Sequence, residues 1–225
     1  RLELIPHRVA VMGGALVNSA TEFCPGLEVS VAPAFRFAGL WNTRQERVRP
    51  DEFRILVALP LMREESAGIL DLMTSAAAGF PSAAAGAPWR VHVKAHPAFI
   101  EPLPRGFELA GGDFDAALDA SDVLVSSASS VCVQALARGV PVIVLGSLRG
   151  VTLNPIPEGV ERELWALCYT AAQLTAALTR YARRDAATVA RHRALGAALR
   201  EKYFTPVTRE TVRSFLMLDA AGSAK

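Results

Sequence analysis

Residues 121–146 constrain the fold more than any other stretch, because two short apolar runs flank a serine-rich turn and a short helical segment. The first run, Asp122 to Ser126, and the second, Val142 to Leu145, are rich in β-branched residues, which is typical of buried strands. A connection that contains a helix joins strands in parallel. The stretch therefore predicts two parallel strands in a sheet that is buried on both faces.

The turn between the first strand and the helix holds four serines in a short span: Ser126, Ser127, Ser129 and Ser130. Such a turn brings backbone N–H groups, the positive end of a helix dipole and several hydroxyls to the carboxyl edge of the sheet. These groups suit an anion, and we expect a phosphate to bind there. The alternative is ordinary capping of the helix by Ser129 or Ser130, for which one serine is enough.

The alternation of strands and helices continues on both sides of this stretch. Further strands are predicted at 55–59, 91–95, 107–110 and 165–169, and helices at 64–77, 114–120, 171–183 and 186–202. Strands that alternate with helices form parallel sheets with helices on both faces. The predicted fold class is therefore α/β, with a doubly wound, Rossmann-like parallel sheet.

A charged segment at 41–52, with little apolar content, separates this sheet from the first residues of the chain. Before it, short strands are predicted at 8–12 and 29–33, which would form a short α/β remnant. The predicted domains are 1–50, the remnant of an N-terminal domain plus a linker; 51–205, the Rossmann-like domain; and 206–225, a C-terminal helix and tail. Because the chain begins with an arginine, we expect it to be cut from a longer protein.

Composition narrows the class of protein. The chain of 225 residues is 51% hydrophobic and can bury one large core or two smaller ones, while its net charge of +2 is too balanced for a nucleic-acid partner. The three cysteines lie far apart, which predicts neither disulfides nor a zinc site and fits a reducing compartment. No apolar run is long enough to span a bilayer, and the first residues do not have the form of a signal peptide.

The last predicted helices carry many basic side chains: Arg180, Arg183, Arg184, Arg191, Arg193, Arg200 and Lys202. Their interleaving with apolar residues favours a solvated amphipathic face. The alternative is a basic surface that rests on anionic lipid. The predicted location is accordingly cytoplasmic, with a peripheral position at the inner face of the membrane as the alternative.

Polar residues also follow the other predicted strands, at the edge where open parallel sheets bind ligands. His96 ends one strand and is a candidate acid, base or phosphate ligand, the alternative being a structural histidine bonded to a loop carbonyl. Arg63 could clamp a diphosphate with two hydrogen bonds. Gln134 could bind a ribose hydroxyl or lie on a solvated face. Asn154 and Glu158, in a proline-rich loop, could bind sugar hydroxyls or a base, or form a turn with an acidic helix start.

Missing motifs remove several enzyme classes. The sequence holds no Walker loop, no Gly-x-Gly-x-x-Gly, no His-Glu-x-x-His and no Gly-x-Ser-x-Gly. An ATPase, a Rossmann dehydrogenase, a zinc protease and a serine hydrolase therefore lose support as hypotheses.

Three segments, Val93 to Pro97, Ser121 to Ser130 and Ala135 to Ile143, resemble in their order the C-terminal, nucleotide-sugar-binding half of GT-B-type glycosyltransferases. Bacterial surface-polysaccharide transferases, polyol-phosphate transferases and sugar-nucleotide epimerases share this plan. The resemblance covers residues 53–205 and implies that residues 1–40 are the tail of an acceptor-binding domain. It also implies that the His-Pro pair and the serine turn surround the donor diphosphate.

Gln134 departs from the family pattern. Many members carry a glutamate at this position, and that glutamate bonds the donor ribose. A neutral amide can accept and donate there, but it makes a weaker hydrogen bond to hydroxyls than a carboxylate does.

The resemblance implies a transferase domain that needs no metal or other cofactor. It would bind a nucleotide-sugar through the serine turn, His96 and Arg63, and the sugar would pass to a surface-carbohydrate acceptor. The turn would stabilise the leaving diphosphate, with the base for the acceptor supplied by the N-terminal domain. The alternative enzyme is a sugar-nucleotide 2-epimerase, whose candidate carboxylates are Glu64, Glu65 and Glu158. A third hypothesis is a non-catalytic scaffold that has lost its donor site.

Overall fold

The computed structural model describes residues 6–42, 52–80, 87–98, 102–147 and 150–218. In chain order the elements are β1 (Arg8–Val11), α1 (Ala15–Phe23), β2 (Glu28–Val31), a 3₁₀ helix (Phe35–Trp41), β3 (Phe53–Ala58), α2 (Arg63–Ala77), β4 (Trp89–Lys94), β5 (Phe107–Leu109), α3 (Phe114–Asp119), β6 (Val123–Ser126), α4 (Val131–Ala137), β7 (Val142–Leu145), β8 (Trp165–Cys168), α5 (Ala171–Ala182), α6 (Ala186–Tyr203) and α7 (Arg209–Phe215). They belong to two compact units, one of Arg44–Gly196 and one that joins Arg1–Thr43 to Ala197–Lys225. The boundary between the two units at Gly196 and Ala197 therefore lies inside α6.

The smaller unit is built on two parallel strands, β1 and β2, which α1 connects. Both strands were predicted, whereas α1 was not. The C-terminal residues pack onto this unit: Thr205 N donates to Met12 O at 2.6 Å, and the rings of Phe37 and Phe204 meet edge to face with centroids 5.0 Å apart. Residues from both ends of the chain therefore form its interior.

The larger unit is a six-stranded sheet in the order β5-β4-β3-β6-β7-β8, and every pair is parallel. Counted within this unit, the order is the 3-2-1-4-5-6 of Rossmann folds. The predicted α/β class and doubly wound parallel sheet are confirmed. The strand order reverses between β3 and β6, and such a switch point is where open α/β sheets bind their ligands.

Successive strand residues face opposite sides of the sheet, and helices cover each side. Ile55 and Val57 of β3 are both 0% exposed and belong to the core beneath α2 and α5. On the opposite side, side-chain hydrogen bonds join α3 to α4, and Gly139, just after α4, lies against α6. With both faces covered by helices, ligands are expected at the ends of the strands, and sheets of this kind bind them at the carboxyl edge.

Arg184, between α5 and α6, and Arg200 of α6 have structural roles. Arg184 donates to the main-chain oxygen of Asp122 at 2.7 Å, and Arg200 donates to that of Leu40 at 3.0 Å. Both side chains are half-buried, and besides facing solvent in part they bind main-chain carbonyls that are distant in sequence. Among the described residues, no helix combines the length and the apolar character that crossing a membrane requires.

Candidate functional site

One side chain joins the two strands that flank the switch point. Ser126, the last residue of β6, is 1% exposed, and its Oγ donates to the main-chain oxygen of Ala58, the last residue of β3, at 3.0 Å. This bond holds the two strand ends together, so that the turn before α2 and the serine turn before α4 start side by side. The hydroxyl of Ser126 therefore helps to position the serine turn by this hydrogen bond.

Ser127 has a different environment. Its side chain is 4% exposed, and its Oγ makes no hydrogen bond within the part of the chain that the structure describes. Its main-chain oxygen accepts the Sγ–H of Cys132 at 3.5 Å, which fixes the backbone of the turn. An enclosed hydroxyl without a partner is costly, and such groups in native proteins often mark a site for water or a ligand.

The two remaining serines test the capping alternative. Ser129 Oγ accepts from Val131 N at 3.5 Å, a long contact for a hydrogen bond. Ser130 is the N-cap residue of α4, but its exposed side chain makes no capping hydrogen bond. Capping therefore accounts for Ser129 at most, and it does not explain Ser130.

The start of α2 lies on the other side of the switch point. Its N-cap residue, Met62, makes no side-chain cap, and Ser66 in the first turn donates its hydroxyl to Pro60 O at 3.1 Å. That bond fixes the connection between β3 and α2. Arg63, the first residue of the helix, is exposed. The structure thus places this predicted site residue at the strand end that neighbours the serine turn.

His96 follows β4, the neighbour of β3 on the side away from β6. Its ring is half-buried, and Nδ1 accepts a hydrogen bond from Ala98 N at 3.2 Å. With Nδ1 as the acceptor, the neutral imidazole carries its proton on Nε2 and can donate from there. The predicted histidine is therefore at the same edge of the sheet, in a defined tautomer.

Asn154 and Glu158 lie in the loop that leaves this edge at the end of β7 and leads to the start of β8, on the opposite edge. Asn154 Oδ1 accepts from Ile156 N at 3.2 Å, which closes a tight turn. Glu158 is exposed, and no helix begins there in the described range 150–164. The turn that the sequence offered as the alternative for Asn154 is present, and the acidic helix start is not.

Gln134 is held inside the molecule. It is 9% exposed, and its Nε2 donates to Asp115 Oδ1 of α3 at 2.6 Å. The solvated face that was one alternative for this residue is wrong, because α3 covers it. The amide of Gln134 thus contacts the carboxylate of Asp115 instead of bulk solvent.

Three residues around Gln134, namely Asp115, Asp119 and Arg138, were not predicted from the sequence. Arg138 is 8% exposed; its Nη1 donates to Asp119 Oδ1 at 2.7 Å, and its Nη2 lies 3.3 Å from Asp115 Oδ1. The signal that could have found them is a matched spacing. Residues four apart share one face of a helix, and both Asp115/Asp119 and Gln134/Arg138 have that spacing.

Two other kinds of site, a cysteine nucleophile and a metal centre, receive no support among the described residues of this region. Burial raises the pKa of the Cys132 thiol to about 12, so the thiol stays protonated near neutral pH. Within the described ranges, no group of three or more His, Cys, Asp or Glu side chains is placed to hold a metal ion.

No protein-family model matches the chain, and no curated protein is significantly similar to it in sequence. Solved structures do share its fold. The kitacinnamycin glycotransferase is 18% identical with a TM-score of 0.58, over 96% of this chain and 55% of its own. The wall teichoic acid polymerase TagF is 12% identical with a TM-score of 0.56, over 97% of this chain and 59% of its own.

A third solved structure, a putative UDP-N-acetylglucosamine 2-epimerase from Listeria monocytogenes, is 17% identical with a TM-score of 0.58, over 92% of this chain and 57% of its own. These proteins are GT-B glycosyltransferases and an epimerase of the same fold. The predicted GT-B-type fold is therefore confirmed. The chain spans little more than half the length of each of these three structures.

Proposed function

We propose that this chain is the donor-binding half of a GT-B-type glycosyltransferase that transfers a sugar from a nucleotide-sugar to a surface-carbohydrate acceptor. The diphosphate binds at the carboxyl ends of β3 and β6. The observation that carries this proposal is the bond from Ser126 Oγ to Ala58 O, which brings the starts of α2 and α4 together at the switch point. Main-chain N–H groups at helix starts bind phosphate groups well.

The serine turn supplies the principal donors to the diphosphate. The hydroxyls of Ser127 and Ser130, which make no hydrogen bond to other described residues, donate to phosphate oxygens. The N–H groups of the same turn do likewise. Hydrogen bonds to a charged acceptor contribute roughly 1.5–3 kcal/mol each before the entropy cost of binding, which is enough for millimolar to micromolar affinity.

Two further residues act on the leaving group. In the transfer, the bond from the anomeric carbon to the diphosphate oxygen breaks, and its electron pair stays on the diphosphate. The acceptor hydroxyl oxygen forms the new bond to that carbon. His96 donates from Nε2, and Arg63 contributes its fixed positive charge, so that the developing negative charge is stabilised without a metal. The acceptor proton passes to a base in the acceptor-binding half, so this chain alone binds donor but transfers poorly.

Calorimetric titration of the 225-residue chain with UDP-, CDP-, GDP- and ADP-sugars and with CMP-sugar tests the proposal. We expect one of them to bind, and the S129A/S130A double variant to bind it roughly 10- to 100-fold more weakly. Ser75 lies exposed near the other end of α2, so S75A is the matched control and should bind normally. A folded chain that binds none of these donors, or a double variant that binds as tightly as the parent, contradicts the proposal.

A sugar-nucleotide 2-epimerase is the second candidate, because one structure of this fold carries that name. Glu64 and Glu65, both exposed in the first turn of α2, are candidate acid and base residues at the same edge. Incubation with UDP-N-acetylglucosamine followed by NMR distinguishes the two functions. A 2-epimer that disappears in E64Q or E65Q favours the epimerase, and an unchanged sugar favours the transferase.

A further inference from the structure

Arg138 joins the two short helices on one face of the sheet. It ends α4, its side chain is 4% exposed, and its Nη1 donates to Asp119 Oδ1 of α3 at 2.7 Å. Its Nη2 lies 3.3 Å from Asp115 Oδ1, the atom that also accepts from Gln134 Nε2 at 2.6 Å. Because each helix is bonded at two positions four residues apart, α3 and α4 are held side by side in one register.

Apolar packing alone does not fix where α4 lies along the sheet. α3 has six residues and α4 has seven, and helices this short depend on tertiary contacts for their position. Four apolar side chains of α4 are buried, and three of them are small: Cys132, Ala135 and Ala137. Burial of apolar surface is non-directional, so it holds α4 against the sheet without choosing its lateral position. The hydrogen bonds of Arg138 and Gln134 supply that direction.

A buried ion pair is better suited to fixing position than to adding stability. The loss of hydration opposes the attraction between the charges, so apolar side chains of similar volume often stabilise a fold equally well. The side chain of Arg138 is enclosed, whereas that of Asp119 is 20% exposed and that of Asp115 is 37% exposed. Stability therefore does not account for an arginine here, but the directional hydrogen bonds of a guanidinium do.

The network reaches the serine turn through the main chain of α4. Gln134 N donates to Ser130 O at 3.3 Å, and Cys132 N donates to Ser129 O at 3.1 Å. Cys132 Sγ also donates to Ser127 O at 3.5 Å. A shift of α4 along the sheet therefore moves the turn with it, including the exposed hydroxyl of Ser130.

The start of α3 is tied in turn to the strand that precedes His96. The ammonium group of Lys94, the last residue of β4, donates to Gly112 O in the turn before α3. Ala110 N, just after β5, donates to Val93 O at 2.8 Å. A continuous series of bonds thus runs from the end of β4, two residues before His96, through α3 and α4 to the serine turn.

We propose that Arg138 is a positioning residue of the donor site: by holding α4 to α3, it sets the distance between the Ser130 hydroxyl and His96, so that both reach one diphosphate. This inference rests on the proposed function and adds the residue on which the geometry of that site depends. Arg138 itself does not touch the donor, because its enclosed side chain lies at the end of α4 away from the serine turn.

The test is a double-mutant cycle between this ion pair and Ser130, read by calorimetry with UDP, CDP, GDP and ADP. For whichever diphosphate the parent chain binds, S130A should weaken binding about 10-fold. R138M/D119L replaces the ion pair by apolar side chains: its urea midpoint should stay close to that of the parent, whereas its binding should weaken about 10-fold. Adding S130A to this variant should cost less than about 2-fold, because the hydroxyl no longer reaches the diphosphate.

Two single variants decide the question if R138M/D119L does not fold. The asparagine of D119N still accepts from Arg138 Nη1, so D119N should bind like the parent. D119L has no acceptor and should bind roughly 3- to 10-fold more weakly than D119N. R191Q is the matched control: Arg191 pairs with Glu163 just before β8, at the opposite edge of the sheet, and its loss should leave binding unchanged.

The outcomes separate the positioning role from the donor site itself. Arg138 has no positioning role if S130A costs the same factor in the parent and in R138M/D119L, or if D119L binds as tightly as D119N, and the donor site then stands. A folded parent chain that binds none of the four diphosphates overturns the proposed function, and this inference with it.

Discussion

The side-chain hydroxyl of Ser126 donates to the main-chain oxygen of Ala58 at 3.0 Å, across the point where the strand order of the sheet reverses. β3 and β6 lead into helices on opposite faces of the sheet, and their paired register ends at Val57 and Val125, one residue before this bond. The bond fixes the spacing of the two turns. The proposed diphosphate site therefore depends on a contact that a ligand does not itself make.

Replacing Ser126 by alanine should lower stability and weaken nucleotide binding together. The change removes the donor to the buried Ala58 oxygen, and we expect the free energy of unfolding to fall by about 1–3 kcal/mol. Urea unfolding followed by circular dichroism measures this. S130A is the control, since its exposed hydroxyl makes no cap: it should leave stability within about 0.5 kcal/mol and still weaken binding. An S126A variant as stable as the parent would mean that the contact is unimportant.

Replacing Ser127 by alanine should have the opposite effect on stability. Its Oγ is enclosed without a hydrogen-bond partner among the described residues, so its removal relieves a desolvation cost and should raise the free energy of unfolding by roughly 1 kcal/mol. Binding of nucleotide should weaken in the same variant. Unfolding and titration on one preparation give both values. Lower stability with unchanged binding would assign Ser127 a structural role only.

Much of the larger unit could be predicted because its signals are local. The β-branched runs of β6 and β7, and the glycine and proline between them, identify the elements from a few neighbouring residues. The rule that ligands bind at strand carboxyl ends then placed Arg63, His96 and the serine turn at one edge. α1 was not predicted because its N-cap residue is Gly14, which has no side chain to cap the helix and so gives no start signal in the sequence.

Contacts between residues that are distant in sequence could not be predicted in this way. Ser126 meets Ala58 across 68 positions of sequence, Arg184 meets Asp122 across 62, and Gln134 meets Asp115 across 19. A helical pattern shows which residues share a face but not which partner that face meets. The contacts of Ser126 and Gln134 within the fold therefore became known only from the structure.

Gly139 should tolerate no side chain. Its φ is +71°, and a Cβ at this position would lie 2.6 Å from Arg193 Cα of α6. We expect G139A to lower the free energy of unfolding by more than about 2 kcal/mol, from backbone strain and overpacking together. Gly68 offers the matched control: it lies exposed in α2 with nothing within 4 Å of its Cβ position. G68A should stabilise by about 0.5–1 kcal/mol. Equal effects at both sites would refute the close approach.

Stability should decrease as the pH falls below neutrality, in part through His192. This residue is 1% exposed, and burial, followed by the neighbouring Arg184, lowers its pKa. Arg191 and Arg180 act in the same direction, and Glu163 opposes them. In the unfolded chain a histidine has a pKa near 6.5. The unfolded state therefore takes up the proton first, and the contribution of the neutral folded form is complete above about pH 6.5 and is lost below it.

Urea unfolding at several values between about pH 8 and pH 5 measures this slope. H192Q should have a shallower slope than the parent. Burial also lowers the pKa of His92, so that residue contributes with the same sign and part of the slope should remain in H192Q. If H192Q and the parent lose stability equally as the pH falls, protonation of His192 does not contribute to the pH dependence.

A crystal structure of the chain soaked with the nucleoside diphosphate that it binds most tightly tests the central claim most directly. We predict that the diphosphate oxygens lie within hydrogen-bond distance of the main-chain nitrogens and hydroxyls of residues 127–130, between the carboxyl ends of β3 and β6. A diphosphate bound at the amino edge of the sheet, or on a helix away from the switch point, would contradict the proposed function.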